Sequence, residues 1–410
     1  MNRALNKLDY EDIKNAAESF DGAIKHTPTN HAITLSKITG ADVYIKLESS
    51  QFTASFKERG ALNKLLNLTP EQRKQGVIAA SAGNHAQGVA YHGSRLGIPT
   101  TIAMPLNTPF VKVSNTEALG AKVVQVGERF DETAEAALAM ANEQHLTVVH
   151  PFDDYHVMAG QGTIAIEFLE DVPNLDILLV PVGGGGLISG IATAAKAIKP
   201  DIKVIGVQSE RFPSLYRAFN NEDYVSQGST LAEGIAVKTI GEKTLEICKD
   251  VVDDILLVSE EEIEKALGLL LTIEKTVSEG AGACPLAALL RYPDTFKDKK
   301  VGLVVTGGNI DTRLLASILM RSLVRDGRIT RLRIELPDIP GALSIISSII
   351  GDKGGNIIDV SHHRLFTELP AKETYSNITL ETRDSQHLQD ILDELREKGF
   401  VVNVNRNIEM

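Results

Sequence analysis

Cysteine is scarce in this sequence: only Cys248 and Cys284 occur among 410 residues. Two cysteines offer neither a disulfide framework nor the spacing of a metal site, so we interpret both as core or near-surface thiols. Basic residues are also few relative to acidic ones, since 42 Lys and Arg stand against 54 Asp and Glu and give a formal net charge of −12. Nucleic-acid binding requires a basic face, so this balance argues against a nucleic-acid partner.

Long hydrophobic runs are absent as well. No stretch reaches the about 18 consecutive apolar residues that suggest a membrane-spanning helix. The amino-terminal residues Met-Asn-Arg-Ala-Leu-Asn-Lys-Leu-Asp-Tyr-Glu-Asp lack the apolar core of a secretion signal. We therefore expect no membrane partner and a cytoplasmic location. A chain of 410 residues can bury large cores, and its length predicts two or three domains.

Predicted strands and helices alternate along the first third of the chain. The strands are short apolar runs, and a segment with helical character follows each of them. In chain order the predicted elements are strand 43–47, helix 61–66, strand 76–80, helix 85–96, strand 100–104, helix 108–119 and strand 122–126. This alternation predicts an α/β fold with a parallel sheet covered on both faces and ligand-binding loops at the carboxyl ends of the strands.

A run of four glycines lies between the apolar stretch 177–182, typical of a strand buried on both faces, and a predicted helix 187–198. The run consists of Gly183, Gly184, Gly185 and Gly186, and Leu187 follows it. Residues without Cβ atoms can take positive φ and bring their N–H groups close to phosphate oxygens, while the helix start adds partial positive charge. A flexible turn is the alternative, but four glycines cost backbone entropy that a simple connection need not incur. The run therefore predicts a phosphate site.

A lysine stands at the start of the helix predicted after the first strand, in the run Ser55-Phe56-Lys57-Glu58-Arg59. Taken alone, this run is typical of an ordinary helix start with solvated charges. The glycine run and two further loops, residues 81–85 and 306–309, also lie at strand ends. One bound molecule can contact these three loops and the lysine run together. We therefore interpret Lys57 as a candidate catalytic residue.

A loop of small and polar residues follows strand 76–80. It consists of Ser81, Ala82, Gly83, Asn84 and His85. The backbone N–H groups at this helix start form an anion site that suits a substrate carboxylate, and the Asn84 amide can donate to a hydroxyl of a bound molecule. His85 is more typical of a hydrogen-bonded loop histidine than of a catalytic base, so we assign it to substrate binding only.

The loop Thr306-Gly307-Gly308-Asn309 follows the apolar strand 301–305. The Thr306 hydroxyl falls where the nitrogen of a bound aromatic ring can sit. A carboxylate there would keep that nitrogen protonated, whereas a neutral hydroxyl only hydrogen-bonds and leaves the ring a weaker electron sink. A turn that simply needs glycines is the alternative for this loop.

Together these segments resemble the threonine ammonia-lyases within the fold-type II pyridoxal-phosphate enzymes, over residues 1 to roughly 320. The resemblance rests on residues 55–61, 81–88, 150–153, 159–163, 183–186 and 279–283. It implies a tryptophan synthase β-like catalytic domain with two lobes, over residues 1–325. The small lobe is nested within this domain at roughly 55–157.

The resemblance also implies roles for individual residues around the cofactor pyridoxal 5′-phosphate. Lys57 holds the cofactor as a Schiff base, Phe56 packs near its ring, and Asn84 meets its hydroxyl. Gly183 to Leu187 bind the phosphate and Thr306 meets the ring nitrogen, although some relatives carry Ser or Cys at that position. Glu279 is expected beside the cofactor, while a lone carboxylate at a helix start is also typical of ordinary dipole stabilisation.

The composition changes over residues 321–333, a basic and polar stretch that we interpret as a linker. Beyond it the predicted order is strand 330–336, helix 342–353, strand 356–364, strand 374–382, helix 386–398 and strand 401–404. This is a βαββαβ ferredoxin-like plan. The segment 326–410 resembles the ACT domain, an amino-acid-sensing module, and its effector residues are expected at Asp338, Gly341 and Asn356.

The activity that the resemblance implies is β-elimination of L-threonine to 2-oxobutanoate and ammonia, with L-serine as a secondary substrate. The enzyme is expected to be a carbon–nitrogen lyase that an amino acid such as isoleucine regulates, and a homo-oligomer, either a dimer or a tetramer. Alternatives are a hydroxyaspartate or serine ammonia-lyase, a replacement synthase, a serine racemase, or an amino-acid sensor without significant catalysis. Racemases of this fold carry a proton-donating hydroxyl at the position matching Ala82, and a methyl group cannot deliver a proton.

No metal site is expected. Racemase-like relatives place acidic ligands after the strand that here ends near Gln208, but this sequence has Gln208, Phe212 and Ser214 in the corresponding places. Two charges that a hard cation requires are missing. The acidic run 259–262 is better explained as a helix cap, because Ser259 and Glu262 have the spacing of a capping box.

Overall fold

The structure is a computed structural model, which describes residues 7–223, 226, 228–364, 370 and 372–405. Its backbone divides into two compact units, residues 1–310 and 311–410. The predicted boundary between residues 325 and 326 stays a prediction.

The first unit combines two sheets with helices. Its strands are β1 Thr29–His31, β2 Asp42–Leu47, β3 Val77–Ala80, β4 Thr100–Met104, β5 Lys122–Gln125, β6 Thr147–Val148, β7 Ile177–Pro181, β8 Lys203–Ser209, β9 Asp254–Val258 and β10 Lys300–Val305. Its helices are α1 Tyr10–Ser19, α2 Ile33–Thr39, α3 Lys57–Leu66, α4 Pro70–Gln75, α5 Asn84–Arg95, α6 Phe110–Ala118, α7 Phe130–Gln144, α8 Tyr155–Asp171, α9 Gly186–Ile198, α10 Ser214–Asn220, α11 Glu242–Val251, α12 Glu260–Thr272, α13 Gly280–Arg291 and α14 Pro293–Phe296.

The larger sheet has the strand order β1-β2-β10-β7-β8-β9. All its pairs are parallel except β1 with β2. The central strands are continuous apolar runs, and every residue of β7 is buried. Strands of this kind need helices on both faces, and helices α9 and α13 supply part of that cover.

The smaller sheet has the order β5-β4-β3-β6, with all pairs parallel. It is formed from consecutive chain between β2 and β7, so the small lobe is an insertion in the larger one. Helix α3 contacts both α5 of the small lobe and α8, the helix that carries the chain back to the large sheet. Helix α3 is therefore packed between α5 and α8.

The second unit begins with helix α15 Thr312–Arg325. It continues with β11 Ile329–Pro337, α16 Ala342–Asp352, β12 Asn356–His363, β13 Glu373–Glu381, α17 Ser385–Glu397 and β14 Val401–Asn405. The four strands form an antiparallel sheet in the order β12-β13-β11-β14, which confirms the βαββαβ plan. Buried and more exposed residues alternate along β11 and β13, because one face of the sheet packs on the two helices.

The elements that the sequence predicts are confirmed, most of them with ends within one or two residues. The capping box is confirmed too: Ser259 Oγ accepts from Glu262 N at 3.3 Å, and Glu262 Oε2 accepts from Ser259 N at 2.7 Å. The predicted linker over 321–333 is wrong, because Arg321–Arg325 complete α15 and β11 begins at Ile329. Within the described ranges, no helix is long and apolar enough to cross a membrane.

Candidate active site

Lys57 is the first residue of α3, and its side chain is part-buried. Its Nζ donates a hydrogen bond of 2.8 Å to the Pro151 carbonyl and lies 5.1 Å from the centre of the Phe56 ring. Burial lowers the pKa of Lys57 to about 8, while the carboxylate of Glu279 opposes this shift. A larger share of this amine is therefore neutral near pH 7 than of an exposed lysine.

The loop containing Thr306 pairs with the segment that precedes Lys57. Phe56 N donates to the Thr306 carbonyl at 3.0 Å, and Gly308 N donates to the Ala54 carbonyl at 2.9 Å. The Thr306 side chain is 2% exposed, and its hydroxyl has no hydrogen-bond partner among the described residues. An unpartnered buried hydroxyl is costly, so this one is a candidate contact for a bound molecule.

Glu279 lies beside the same loop, at the start of α13. Its backbone N–H donates to the Gly307 carbonyl at 2.9 Å, and its carboxylate oxygens accept from Asn84 Nδ2 at 2.9 and 3.0 Å. The Asn84 amide is oriented from the other side by Asn309, whose Nδ2 donates to Asn84 Oδ1 at 2.8 Å. Burial raises the pKa of Glu279 to about 7, against the hydrogen bond from Asn84 and the charge of Lys57.

The glycine run forms the turn between β7 and α9. Gly185 has a φ of 94°, a left-handed conformation that favours glycine. A side chain on Gly184 would collide with the Phe152 ring, and one on Gly186 would lie 2.7 Å from the Phe152 carbonyl oxygen. The predicted sequence of strand, glycine turn and helix is confirmed, and it presents a helix start where an anion can bind.

The loop of residues 81–85 connects β3 to α5. Ser81 Oγ accepts from Gly83 N at 3.2 Å, which tightens the turn before the helix. The buried His85 ring places Nε2 2.9 Å from the Val149 carbonyl, so Nε2 carries the proton and Nδ1 is left as an acceptor. Burial and the charge of Lys57 lower the pKa of His85 to about 3, so the ring is neutral and a weak base.

The structure thus brings Lys57, Asn84, Glu279 and Thr306 together around one end of the large sheet. The family comparison agrees with this arrangement: the profile described as "Pyridoxal-phosphate dependent enzyme" matches residues 20–307. The chain is a member of this pyridoxal-phosphate enzyme family. A second profile, described as "ACT domain", matches residues 326–406.

Relatives of this pyridoxal-phosphate enzyme include an L-threonine ammonia-lyase of Thermotoga maritima. It is 44% identical over 399 residues, covering 97% of this chain and 99% of the relative. Among solved structures, threonine deaminase isoform 2 from Solanum lycopersicum matches with a TM-score of 0.71 and 34% identity, over 78% of this chain and 91% of that one. Serine racemase from Dictyostelium discoideum matches with a TM-score of 0.70 and 34% identity, over 74% and 99%.

The residues at the site fit the cofactor of the family. Lys57 offers a buried amine with a lowered pKa, and Thr306 offers a buried hydroxyl without a partner in the described ranges. The turn at Gly184 leaves no room for a side chain. These three features match an aldehyde, a ring nitrogen and a phosphate.

Several residues that contact this site have no role in the sequence analysis. The Pro151 carbonyl and the Asn309 amide are examples, and Thr244 Oγ1 donates to the Gly184 carbonyl at 2.8 Å. A backbone carbonyl has no sequence signal, and Asn and Thr are too common to single out without their tertiary contacts. The positions of Pro151 and Asn309 in the motifs 150–153 and 306–309 are a hint in the sequence, whereas Thr244 lies outside both motifs.

The Gln208 side chain forms hydrogen bonds with both ends of its amide. Its Oε1 accepts from Leu215 N and Tyr216 N, both at 2.9 Å, and its Nε2 donates to the Val182 carbonyl at 3.2 Å. Gln208 therefore caps the start of α10. The described residues contain no group of three or more His, Cys, Asp or Glu side chains that could hold a metal ion.

The three candidate effector residues lie in the second unit but are not gathered at one cavity. Gly341, with a φ of 88°, precedes α16 and lines a cavity of about 500 Å³. Asp338 lies 3.3 Å from Arg364 Nε, and Asn356 Nδ2 donates to Glu381 Oε2 at 3.3 Å. The cavity is lined by Ile339, Pro340, Gly341, Ala342, Ser344, Ile345, Ser348, Ile349 and Asp352.

Proposed function

We propose that this enzyme is an L-threonine ammonia-lyase, which converts L-threonine to 2-oxobutanoate and ammonia and acts on L-serine as a secondary substrate. The observation that carries the proposal is the Lys57 amine, which is buried, has a pKa of about 8 and donates to the carbonyl of Pro151, the residue before Phe152, whose ring packs against the glycine turn. The names of the full-length relatives support the same reaction class.

The proposed roles follow from the chemistry of each group. Lys57 would hold the cofactor, and its amine, once released from the cofactor and neutral, would accept the proton from the substrate Cα. Gly183 to Leu187 hold the phosphate, with the N-terminus of α9 favouring negative charge. The bound cofactor supplies an electron sink, and the neutral Thr306 hydroxyl, in place of a carboxylate, keeps that sink weak enough to favour loss of a β-substituent.

The substrate carboxylate is proposed to bind at the start of α5, within Ser81 to His85. The N-terminal N–H groups of the helix are not used by the helix itself, because its hydrogen bonds begin with Gln87 N donating to the Gly83 carbonyl. Asn84 is proposed to contact the cofactor hydroxyl, and Phe56 to pack beside the ring. In the structure the Asn84 amide donates to the Glu279 carboxylate. Glu279 therefore lies next to the position proposed for the cofactor hydroxyl.

The test compares oxoacid production from L-threonine, L-serine and 3-hydroxyaspartate by the purified enzyme. Threonine is expected to give the largest kcat/KM. Lys57→Ala is expected to abolish turnover, whereas Lys74→Ala, which removes an exposed lysine of α4, leaves turnover unchanged. Steady turnover by Lys57→Ala, or the borohydride-trapped cofactor mapped to another lysine, contradicts the assignment.

Serine racemase is the second candidate, because a solved serine racemase shares this fold at 34% identity. Ala82, a residue of the loop before α5, offers no hydroxyl for reprotonation of Cα on the face opposite the lysine. We therefore expect little D-serine from L-serine. Formation of D-serine at a rate comparable with pyruvate formation would show that this argument is wrong.

We propose that the ACT domain binds an amino acid and that this ligand is an allosteric effector. Isoleucine is the first candidate, as the end product of the pathway that 2-oxobutanoate feeds, with valine opposing it. Asp338, Gly341 and Asn356 are the proposed contacts. An effector must bind two states of the enzyme with different affinity, so a module that only assembles subunits is the competing interpretation.

The effector proposal is tested by activity against threonine concentration, with and without isoleucine, for the full chain and for a chain that stops at Arg328. Regulation predicts that isoleucine shifts the curve of the full chain only. The same proteins examined by light scattering test our further proposal of a dimer or tetramer. Unshifted curves with every amino acid, together with unchanged kinetics after truncation, refute regulation.

A further inference from the structure

Three consecutive residues, Pro151 to Asp153, connect the catalytic lysine with the glycine turn. The Pro151 carbonyl accepts from Lys57 Nζ at 2.8 Å, and the Phe152 ring packs against the turn at Gly184. The Asp153 carboxylate contacts the start of α11, where its Oδ1 accepts from the backbone N–H groups of Lys243 at 3.0 Å and Thr244 at 3.1 Å. This segment therefore fixes the first turn of α11 beside the glycine turn.

Thr244 is the residue through which α11 contacts the glycine turn. Its side chain is fully buried, and its hydroxyl lies 2.8 Å from the Gly184 carbonyl and 2.9 Å from the Gly241 carbonyl. Another donor to Gly184 is the Gly241 N–H, at a longer 3.4 Å. The threonine hydroxyl is thus the closer of these two donors to the Gly184 carbonyl.

The orientation of that carbonyl determines the orientation of the next N–H group. A trans peptide is planar, so the Gly184 carbonyl and the Gly185 N–H point in opposite directions. Because the carbonyl points to α11, the N–H points away from α11. Neither Gly184 nor Gly185 has a Cβ, so the backbone itself does little to prevent rotation of this peptide, and an outside contact is needed to hold it.

We propose that Thr244 is a positioning residue for the cofactor phosphate. Its hydroxyl holds the Gly184–Gly185 peptide so that the Gly185 N–H is available to a phosphate oxygen on the side opposite α11. Asp153 supports this function by anchoring the backbone N–H of Thr244. The inference concerns binding of the cofactor and does not depend on which amino acid is the substrate.

The test measures the affinity of the cofactor-free enzyme for pyridoxal 5′-phosphate and for pyridoxal, which lacks the phosphate. Thr244→Val keeps the shape of the side chain and removes the donor. We expect its Kd for pyridoxal 5′-phosphate to rise about tenfold, the effect of about one lost hydrogen bond to a charged group, and its Kd for pyridoxal to stay unchanged. The phosphorus-31 resonance of the bound cofactor is expected to shift.

Thr244→Ser is the matched control, because it keeps the hydroxyl, and its Kd for pyridoxal 5′-phosphate is expected to stay within about twofold of the parent. If Thr244→Val does not fold, Thr244→Ala removes the same donor with a smaller side chain. The same rise in Kd for pyridoxal 5′-phosphate is expected for it. The proposal is overturned if the variants without the hydroxyl bind both compounds as the parent does. It is equally overturned if they lose affinity for both compounds to the same extent, which indicates a general structural role.

Discussion

The surroundings of Lys57 make the charged form of its amine costly. Burial is the main cause of its lowered pKa of about 8, and the negative charge of Glu279 partly offsets it. In the cofactor-free enzyme, the amine is therefore expected to be mostly protonated below pH 8 and mostly neutral above it. Labelling with an amine reagent across pH, followed by mass spectrometry, should give a midpoint near 8 for Lys57.

The same experiment on Glu279→Gln tests the cause of the shift. The isosteric amide removes a negative charge that favours the ammonium form, so the labelling midpoint of Lys57 is expected to fall further. Exposed Lys74 serves as the internal reference for the reagent. A midpoint that rises or stays in place after the substitution contradicts the proposed balance of burial and charge.

Arg59, two residues after Lys57, is the centre of a buried ion-pair network. Its guanidinium donates to Glu48 at 2.7 and 2.8 Å and to Glu167 at 2.6 and 2.9 Å, and the side chains of Arg59 and Glu48 are fully buried. Arg59→Met removes the charged partner of the buried Glu48 carboxylate, whereas Glu167 keeps Lys46 Nζ at 3.0 Å. We expect it to lower the free energy of unfolding by about 3–5 kcal/mol.

Denaturant unfolding monitored by circular dichroism measures this loss. Arg129→Met is the matched control, because Arg129 pairs with Glu132 at the surface, and no change in midpoint is expected there. Arg59→Lys is expected to fall between the parent and Arg59→Met, since it keeps the charge and loses the two-pronged hydrogen bonding. Equal midpoints for the parent and Arg59→Met would exclude a stabilising role for this buried network.

The candidate residues were found in the sequence by taking several segments together, because each segment alone also has an ordinary structural explanation. One site is predicted from the combination of Lys57 at a helix start, four adjacent glycines and a Thr-Gly-Gly-Asn loop. The structure brings these segments to one place. The amide of Asn84 shows where such reasoning stops. It is predicted to meet the cofactor hydroxyl and in the structure donates to Glu279, which follows it by almost 200 residues.

Helices α8 and α9 approach each other closely, and glycines make this possible. A Cβ on Gly190 of α9 would collide with the Met158 carbonyl and lie 2.7 Å from Gly162 N, both in α8. Because backbone atoms cannot rotate away, Gly190→Ala is expected to lower the free energy of unfolding by at least about 2 kcal/mol. Thermal unfolding of the purified variant measures the loss.

Gly351→Ala is the control for this prediction. Gly351 is also a helical glycine, in α16, but an added Cβ meets nothing within 4 Å there. Alanine has the higher helix propensity, so this variant is expected to gain up to about 1 kcal/mol. Similar effects of the two substitutions would show that helix propensity, and not the approach of α8 and α9, decides the outcome at Gly190.

The positions of helices and strands could be predicted from the sequence, because hydrophobic periodicity and apolar runs are local signals. The prediction of a linker over 321–333 is wrong for a physical reason. Ile318 is the only buried residue of α15, so the last turns of this helix carry charged side chains like those of a linker. The sequence also could not show that β2 and β10 are neighbours. Pairing between distant strands depends on tertiary packing, which no local pattern records.

The two compact units have separate hydrophobic cores. Leu178 belongs to the core of the first unit and Ile346 to that of the second, and both side chains are 0% exposed. We therefore expect two thermal transitions in the full chain. Leu178→Ala should lower one of them and Ile346→Ala the other, each by the about 2–5 kcal/mol typical of a buried large-to-small substitution.

Differential scanning calorimetry of the two variants and the parent makes this comparison. Activity assays identify the transition of the first unit, because loss of turnover on heating should follow it. A single transition that both substitutions shift alike would mean that the chain unfolds as one cooperative unit.

The large sheet has a consequence for synthesis of the protein. Strand β2 pairs with β10 in register from Asp42 with Lys300 to Leu47 with Val305, so roughly 250 residues must follow β2 before its partner exists. At the usual speed of translation this interval is on the order of 10–50 s, and during it the edge of β2 is open to other chains. The small sheet, between residues 77 and 148, has all its strands much earlier. On the ribosome the nested lobe can therefore fold first, and the candidate active site is completed only after Thr306 has emerged.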